Sequence, residues 1–260
     1  MTHRSETILD VRDVHVEFSG IVALDGVSFG IAQDEILGLI GPNGAGKTTL
    51  FNCLSRLYHP TQGDIVLDGK SILNRPAHQI AKVGIGRTFQ NVALFADLTV
   101  RDNISVGMHA LTRGNVISDA LRLPTSRRTE AQIRAATTEI AELLEIADVL
   151  DVTAANLPFG TQKRVELARA LAAKPRILLM DEPAGGLNQE EVFVLGDLMK
   201  RVRTEFRTSI LLVEHHMGLV MSIADHVVAL NFGRKLAEGT PAEIQAHPRV
   251  IEAYLGGGDT

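Results

Sequence analysis

A phosphate-binding loop motif constrains this chain more than any other feature of its sequence. Residues 41–48 read GPNGAGKT and match the pattern G-x-x-x-x-G-K-[ST]. They follow the apolar run 36–40, which is typical of a strand buried on both faces of a parallel sheet, and residues 49–57 behind them suit a helix. Glycines let successive N–H groups turn inward, and these groups bind phosphate together with the helix N-terminus. The motif in this setting predicts a nucleoside triphosphate site.

The loop motif also predicts roles for individual side chains. The ammonium group of Lys47 is expected to reach the β- and γ-phosphates, and the hydroxyl of Thr48 is expected to bind Mg²⁺. A net charge of −5 gives the chain no general attraction for nucleic acid or anionic lipid, so this local loop has to hold the phosphates. The structural alternative is a glycine-rich turn that joins a strand to a helix. We expect nucleotide contacts from Gly41, Pro42, Asn43, Gly44, Ala45, Gly46, Lys47, Thr48 and Thr49.

A second apolar run ends in two carboxylates. Residues 177–182 read ILLMDE. Asp181 can hold Mg²⁺, and Glu182 beside it can polarise a water for attack on the γ-phosphate. Taken alone, the two carboxylates fit an acidic helix N-cap before Pro183 equally well. Together with the phosphate-binding loop they predict hydrolysis of the triphosphate.

Two further polar side chains follow apolar stretches that would deliver them to the phosphates at a sheet edge. They are Gln90, after residues 88–89, and His215, after residues 210–214. Each signal is weak alone, because a single glutamine is usually at the surface and a single histidine usually has a structural role. The neighbouring His216 does not make a metal site with His215, because adjacent residues of a strand point to opposite faces.

Strand-like and helix-like patterns alternate along the chain, which predicts an α/β fold. Residues 8–18 alternate apolar and polar side chains, and residues 64–67 lie between Gly63 and Asp68-Gly69, so both segments predict strands of a small antiparallel β layer. Apolar residues at helical spacing in 165–172 and 194–202 predict two helices. Short continuous apolar runs typical of buried parallel strands lie at residues 36–40, 177–180, 210–213 and 227–230.

The segment between residues 91 and 157 has no strand pattern. Its apolar residues, among them Ile133, Ile140 and Leu144, keep an amphipathic helix spacing. A chain of 260 residues fits one domain with an insertion. We expect a single domain over residues 1–260, with 1–90 and 158–260 as the nucleotide-binding core and β subdomain, 91–157 as a helical subdomain and 256–260 as a loose tail.

Cysteine content and hydropathy limit the cellular setting. Cys53 is the single cysteine and cannot form a disulfide framework or a cysteine-rich zinc module, so a reducing compartment fits. The first residues lack the apolar core of a signal peptide, and no apolar run approaches the ~18 residues of a membrane span. We expect a cytoplasmic protein, which still allows a membrane-bound partner.

The order of these motifs resembles that of the ATP-binding cassette (ABC) ATPases over essentially the whole chain. Residues 41–48 resemble the family's Walker A loop, and residues 177–182 resemble its Walker B motif with the catalytic glutamate. Gln90 takes the place of the Q-loop glutamine, a metal ligand, and His215 that of the switch histidine. The resemblance implies a RecA-like P-loop NTPase core with an antiparallel β subdomain and an inserted helical subdomain. It also implies ATP and Mg²⁺ as cofactors.

The resemblance assigns further residues that spacing alone does not. Phe18 stands where the family has an aromatic side chain stacked on adenine. Pro158, Phe159 and Gly160 stand in the family's signature segment. The resemblance implies that two ATP-binding subunits pack head to tail, each ATP lying between the Walker A loop of one and the signature of the other.

This chain departs from the family pattern in two places. The family has serine at position 158 and glycine at 159, so the serine contact to the γ-phosphate is missing here. Gly160 and the helix N-terminus can still offer N–H groups to phosphate. Asn188 stands where aspartate is usual, which would weaken coupling between the two subunits.

Finer resemblance narrows the function to the larger ATP-binding subunit of bacterial branched-chain amino acid importers. The similar segments are residues 86–90, 181–188, 213–217 and 247–256. The subgroup implies transport of branched-chain amino acids or related small polar solutes, and a place on the cytoplasmic face of the inner membrane. Its implied partners are transmembrane permease subunits, a second ATP-binding subunit and, indirectly, a solute-binding protein, but no nucleic acid.

Two alternatives stay open. A soluble ABC-type ATPase clamp on nucleic acid or ribosomes is disfavoured by the single motif set, the lack of long heptads and the single cysteine. The ATPase of an ABC exporter shares all the chemistry and is disfavoured only by the subgroup-like segments.

Two local patterns complete the sequence predictions. An apolar cluster precedes a helix capped at Thr99, and we expect it to form a groove for a helix of a membrane subunit, with internal core as the alternative; its members are Val92, Leu94, Phe95 and Leu98. Residues 240–243 (TPAE) form a capping box with proline at the first helical position, which predicts a short helix.

Overall fold

The computed structural model describes residues 6–88, 92–108 and 124–255. The strands are β1 (Thr7–Phe18), β2 (Ile21–Ala32), β3 (Ile36–Ile40), β4 (Gln62–Leu67), β5 (Lys70–Ser71), β6 (Ile85–Arg87), β7 (Ile177–Asp181), β8 (Ser209–Val213), β9 (His226–Asn231) and β10 (Arg234–Gly239). The α-helices are α1 (Lys47–Leu54), α2 (Ile80–Val83), α3 (Val100–Met108), α4 (Pro124–Leu143), α5 (Phe159–Ala172), α6 (Gln189–Phe206), α7 (Met217–Ile223), α8 (Pro241–Gln245) and α9 (Pro248–Leu255).

The strands form two sheets. The larger has the order β10-β9-β3-β8-β7-β6, in which five strands are parallel and β10 pairs antiparallel with β9 at one edge. The smaller sheet is antiparallel and has the order β2-β1-β4-β5. The predicted α/β class with an antiparallel β layer is confirmed.

Strand β3 shows why the central sheet is apolar along its length. Neighbouring side chains of a strand point to opposite faces, and all five residues of β3 are buried. Leu37 and Leu39 belong to the core shared with the smaller sheet and α1. Ile36 and Ile40 belong to a second core formed with the helices on the other face. One strand therefore contributes to both cores.

Helices α3 and α4 pack against α5. The cap predicted at Thr99 is confirmed, because its hydroxyl oxygen accepts a hydrogen bond from the N–H of Asp102 at 3.1 Å. Gly107 lets α3 approach α5 closely, since a Cβ there would lie 2.1 Å from the carbonyl oxygen of Arg169. None of the helices in the described ranges is both long and apolar enough to cross a lipid bilayer.

Some elements differ from the sequence prediction. Helix α1 ends at Leu54 rather than reaching residue 57, because Arg56 adopts a left-handed backbone with φ 59°. The long strand β2 was not predicted, since Asp25 and Gly26 interrupt its alternation where its register with β1 shifts. Strand β10 was missed as well, because it is a polar edge strand. The capping box predicted at Thr240 is confirmed and begins α8.

Candidate active site

The phosphate-binding loop joins β3 to α1 and depends on glycine. Gly44 and Gly46 have φ 78° and 99°, and a Cβ on Gly46 would lie 2.8 Å from the carbonyl oxygen of Ala23 in β2. Helix α1 begins at Lys47 without a side-chain cap. Its first N–H groups are therefore not engaged by a capping side chain and suit a phosphate ligand.

Gly41 is held from two sides. A Cβ added to Gly41 would lie 2.3 Å from the carbonyl oxygen of Leu230 at the end of β9, so only glycine fits. Helix α9 brings Tyr254 to the same residue. Burial raises the pKa of the Tyr254 hydroxyl, and a hydrogen bond with the main chain of Gly41 opposes that shift. The C-terminal helix thus touches the first residue of the loop.

Lys47 lies folded against the loop. Its Nζ donates hydrogen bonds to the carbonyl oxygens of Gly41 at 2.6 Å and Pro42 at 3.0 Å. Burial lowers the pKa of the Lys47 ammonium, and the negative charges of Glu182 and Asp181 oppose this shift. The two carboxylates are therefore close enough to act on the ammonium group.

Asp181 ends β7 and is buried beside Arg87 of β6. The Arg87 Nη2 lies 3.4 Å from the Asp181 Oδ2, and Nη1 donates to Asn52 of α1 and to Ser55, the C-cap residue of that helix. Burial raises the pKa of the Asp181 carboxyl, and the positive charge of Arg87 opposes the shift. Arg87 has no predicted role, because no local pattern in the sequence indicates that it is the neighbour of Asp181.

Glu182 and His215 contact each other directly. The Nε2 of His215 lies 2.6 Å from Oε1 of Glu182. Strands β7 and β8 are parallel neighbours, so the residues that follow them meet at the same edge of the sheet. Glu182 has φ 49°, a left-handed backbone that is costly for a residue other than glycine, and its N–H donates to the Val213 carbonyl oxygen at 2.9 Å. The structure brings together two residues that the sequence analysis named separately.

The other predicted site residues have different surroundings. Phe18 is exposed at the end of β1, and its ring meets the Tyr58 ring edge-on at 5.0 Å between centroids. Gln90 lies outside the described residues, as does the predicted tail 256–260. Thr48 and Thr49 lie in the first turn of α1.

The signature segment begins helix α5. Pro158 is the N-cap residue, with no side-chain cap, so the first N–H groups of α5 resemble those of α1. Phe159 packs on Gly186, where an added Cβ would lie 2.9 Å from its ring. Gly160 faces Glu191, which belongs to α6. Within one chain the signature therefore adjoins the segment after Glu182.

Asn188 has a structural role that the sequence analysis did not foresee. It is the N-cap residue of α6, and its side chain accepts a hydrogen bond from the N–H of Glu191 at 3.0 Å. The Asn188 N–H in turn donates a hydrogen bond to the Glu191 carboxylate at 2.9 Å, which completes a capping box. Aspartate at this position would cap the helix equally well.

The residues present fit Mg²⁺ held jointly with phosphate. Within the described residues, no group of three or more His, Cys, Asp or Glu side chains could hold a metal ion. Mg²⁺ commonly takes one or two protein ligands and completes its shell with water and substrate phosphates. Asp181 lies close enough to Lys47 for its charge to act on the ammonium group, and Thr48 follows Lys47 in the first turn of α1, so the two could offer such a pair of oxygen donors.

Comparisons with known proteins find relatives over nearly the whole chain. The family model for the ABC transporter matches residues 24–185, and the model for the branched-chain amino acid ATP-binding cassette transporter matches residues 234–260. The high-affinity branched-chain amino acid transport ATP-binding protein BraF of Pseudomonas aeruginosa is 42% identical, over 97% of this chain and 99% of that protein. The corresponding protein LivG of Escherichia coli K12 is 44% identical over the same shares. The structure of MJ1267, an ATP-binding cassette of an ABC transporter in its ADP conformation, has a TM-score of 0.84 and 26% identity, covering 97% of this chain and 100% of that one.

Proposed function

The chain belongs to the ABC transporter ATP-binding family, and from this membership we propose that it is the ATP-hydrolysing subunit of a membrane importer for branched-chain amino acids or related small polar solutes. The ABC ATPase fold and the family expected from the motifs are confirmed. Relatives named for branched-chain amino acid transport match nearly the whole chain, and residues 234–260 match the subgroup's own model. These matches favour an importer over an exporter or a soluble clamp.

The contact between Glu182 and His215 is the observation that carries the hydrolytic part of the proposal. It lies at the edge of the sheet where β7 also delivers Asp181. In this proposal Glu182 accepts the proton of the attacking water, and His215 holds the Glu182 carboxylate in place. Gln90 is proposed to act at the γ-phosphate and to bind Mg²⁺.

The remaining residues bind and orient the nucleotide. The N–H groups of residues 44–49 hold the phosphates, the Lys47 ammonium leaves its carbonyl partners for the β- and γ-phosphates, and Phe18 stacks on adenine. Thr48, Asp181 and Gln90 would hold Mg²⁺, which when bound neutralises charge that develops on the phosphates.

We further propose that the signature of one subunit completes the site of a second, head to tail. The uncapped N-terminus of α5, with Pro158, Phe159 and Gly160, would face the γ-phosphate bound to the partner. Permease subunits would hold this pair at the cytoplasmic face of the inner membrane, with a solute-binding protein acting on them from outside.

The apolar cluster before α3 is the proposed contact with a permease. Phe95 is 52% exposed and Leu98 is exposed as well, whereas Leu94 packs against the core. A cysteine in place of Phe95 should crosslink to a copurified membrane subunit. A transport-competent complex that never crosslinks there would contradict the groove.

Glu182→Gln tests the hydrolytic part of the proposal. The amide keeps the size of the side chain and a hydrogen bond to His215 but cannot accept a proton from water. Hydrolysis should therefore fall by about 10²–10⁴-fold while ATP affinity is kept. With Mg-ATP the variant should accumulate as a dimer, which light scattering during size exclusion measures.

Glu190→Gln is the matched control, because Glu190 is an exposed carboxylate in the first turn of α6. It should hydrolyse ATP at the parental rate. Parental turnover in Glu182→Gln would remove Glu182 from its catalytic role. Copurification from detergent-solubilised membranes, with identification of the associated chains and of the solute taken up, tests the importer assignment separately.

A further inference from the structure

Glu214 is a buried carboxylate that the proposed chemistry does not use. It directly follows β8 and precedes His215, and it is only 3% exposed. Burying an ionised carboxylate is costly unless hydrogen bonds compensate. The reason for its burial therefore has to lie in its contacts.

Main-chain N–H groups of two loops donate to this carboxylate. Oε1 accepts from the N–H of Ala184 at 2.6 Å. Oε2 accepts from the N–H of His215 at 3.1 Å and from that of His216 at 3.3 Å. Ala184 lies two residues after Glu182, so the carboxylate bridges the loop that follows β7 and the loop that follows β8.

We propose that Glu214 is a positioning residue for hydrolysis: its carboxylate ties the two loops together and so keeps Glu182 and His215 in contact. The inference rests on the roles proposed above for those two residues. The Glu182 N–H already donates to the Val213 carbonyl oxygen at 2.9 Å, which fixes the start of one loop on the end of β8. The hydrogen bond from the Ala184 N–H to the Glu214 carboxylate fixes the same loop two residues after Glu182.

Only a carboxylate can satisfy all three donors. Both of its oxygens accept hydrogen bonds, whereas glutamine presents one acceptor and one NH₂ donor. In Glu214→Gln the amide nitrogen must face either the Ala184 N–H or the N–H pair of His215 and His216. One loop is then released, although the size of the side chain is unchanged.

The test measures Glu214→Gln in the parental chain and in His215→Ala. In the parental chain kcat should fall by about 10–100-fold, as for other groups that orient a reacting residue. KM for ATP should change little, because the three N–H groups that donate to Glu214 belong to Ala184, His215 and His216 and not to the phosphate-binding loop. In His215→Ala the same substitution should lower kcat by less than about twofold, since the pair it positions is already gone.

Thr208→Val is the matched control. Thr208 is fully buried, and its hydroxyl donates to the Pro175 carbonyl oxygen at 2.8 Å, so the variant loses a buried hydrogen bond outside the two loops. It should lower the melting temperature without changing kcat. Hydrogen exchange should be faster in peptides that contain residues 184 and 215–216 in Glu214→Gln and unchanged there in Thr208→Val.

An equal loss of kcat in both backgrounds, or unchanged exchange in both loops, would overturn the positioning role while leaving Glu182 and His215 as proposed. Parental kcat in His215→Ala would instead refute the role of His215 and the inference with it. If Glu214→Gln does not fold, Glu214→Asp retains the charge on a shorter side chain and should give an intermediate kcat. Slow exchange of the three N–H groups in the unsubstituted chain is expected in any case, and fast exchange would count against the bridge.

Discussion

At the scale of single residues, some members of the candidate site can be predicted from sequence motifs and others cannot. Lys47, Asp181 and Glu182 were predicted because each has a fixed place in a motif next to a buried strand. Arg87 and Glu214 were not, because Arg87 meets side chains from distant parts of the chain and all three donors to Glu214 are main-chain N–H groups. Hydrogen bonds from main-chain N–H groups do not require particular residue types, so no sequence pattern predicts them.

Arg87 should set the pH range over which Asp181 binds metal. Its positive charge opposes the rise in the Asp181 pKa that burial causes. Arg87→Met should therefore raise the Asp181 pKa further, and because a metal ligand must be deprotonated, Mg²⁺-dependent nucleotide binding should be lost at a higher pH than in the parental chain.

Mg²⁺ titrations of nucleotide binding at a series of pH values would measure this shift. Arg75→Met on the exposed surface should leave the pH profile unchanged. A profile in Arg87→Met that coincides with the parental one would show that the arginine charge does not act on Asp181.

At the scale of elements, the buried strands of the central sheet were predictable because they are apolar on both faces, whereas β2, β6 and β10 were not. Strand β6 has three residues, too few to show a period, and β10 is polar along an edge. The start of a helix is easier to predict where side chains cap it, as at Thr99 and Thr240. The left-handed residue that ends α1 carries no such signal.

The capping box at Asn188 should stabilise α6. Asn188→Ala removes the side-chain acceptor for the Glu191 N–H and should cost about 0.5–2 kcal/mol of unfolding free energy. Asn188→Asp keeps the acceptor and places a negative charge at the helix N-terminus, so it should be neutral or slightly stabilising. Denaturant unfolding of the three proteins would measure both effects. Equal losses in both variants would contradict the capping role.

The close approach of α3 to α5 should depend on Gly107. An added Cβ would lie 2.1 Å from the Arg169 carbonyl oxygen and 2.9 Å from the Ala172 Cβ, so Gly107→Ala must force the helices apart. We expect a loss of about 1–3 kcal/mol, as for other overpacked sites. Gly218→Ala in α7 is the control, because its Cβ would meet only ordinary contacts and alanine favours a helix. A neutral Gly107→Ala would show that the crossing is not tight.

At the scale of the whole molecule, nucleotide should act as a stabilising ligand. The loop gathers contacts from β2, β9 and α9, so ATP bound there should favour the folded chain. At about 100 times its Kd a ligand adds about 2.7 kcal/mol, which corresponds to a rise in Tm of about 5–10 °C for a chain of this size. Thermal denaturation with ADP or ATP would measure it. Lys47→Ala should lose most of the rise, and a full rise in that variant would contradict the site.

The shared strand β3 has a consequence for how the chain melts. Its side chains alternate between the two cores. If either core unfolds, one face of β3 becomes exposed to water, and the strand can then no longer support the other core. The core shared with the smaller sheet and the core formed with the helices should therefore unfold together, as one cooperative unit. Calorimetry of the nucleotide-free chain should give a single endotherm whose calorimetric and van't Hoff enthalpies agree, even though the polypeptide is longer than most two-state folders.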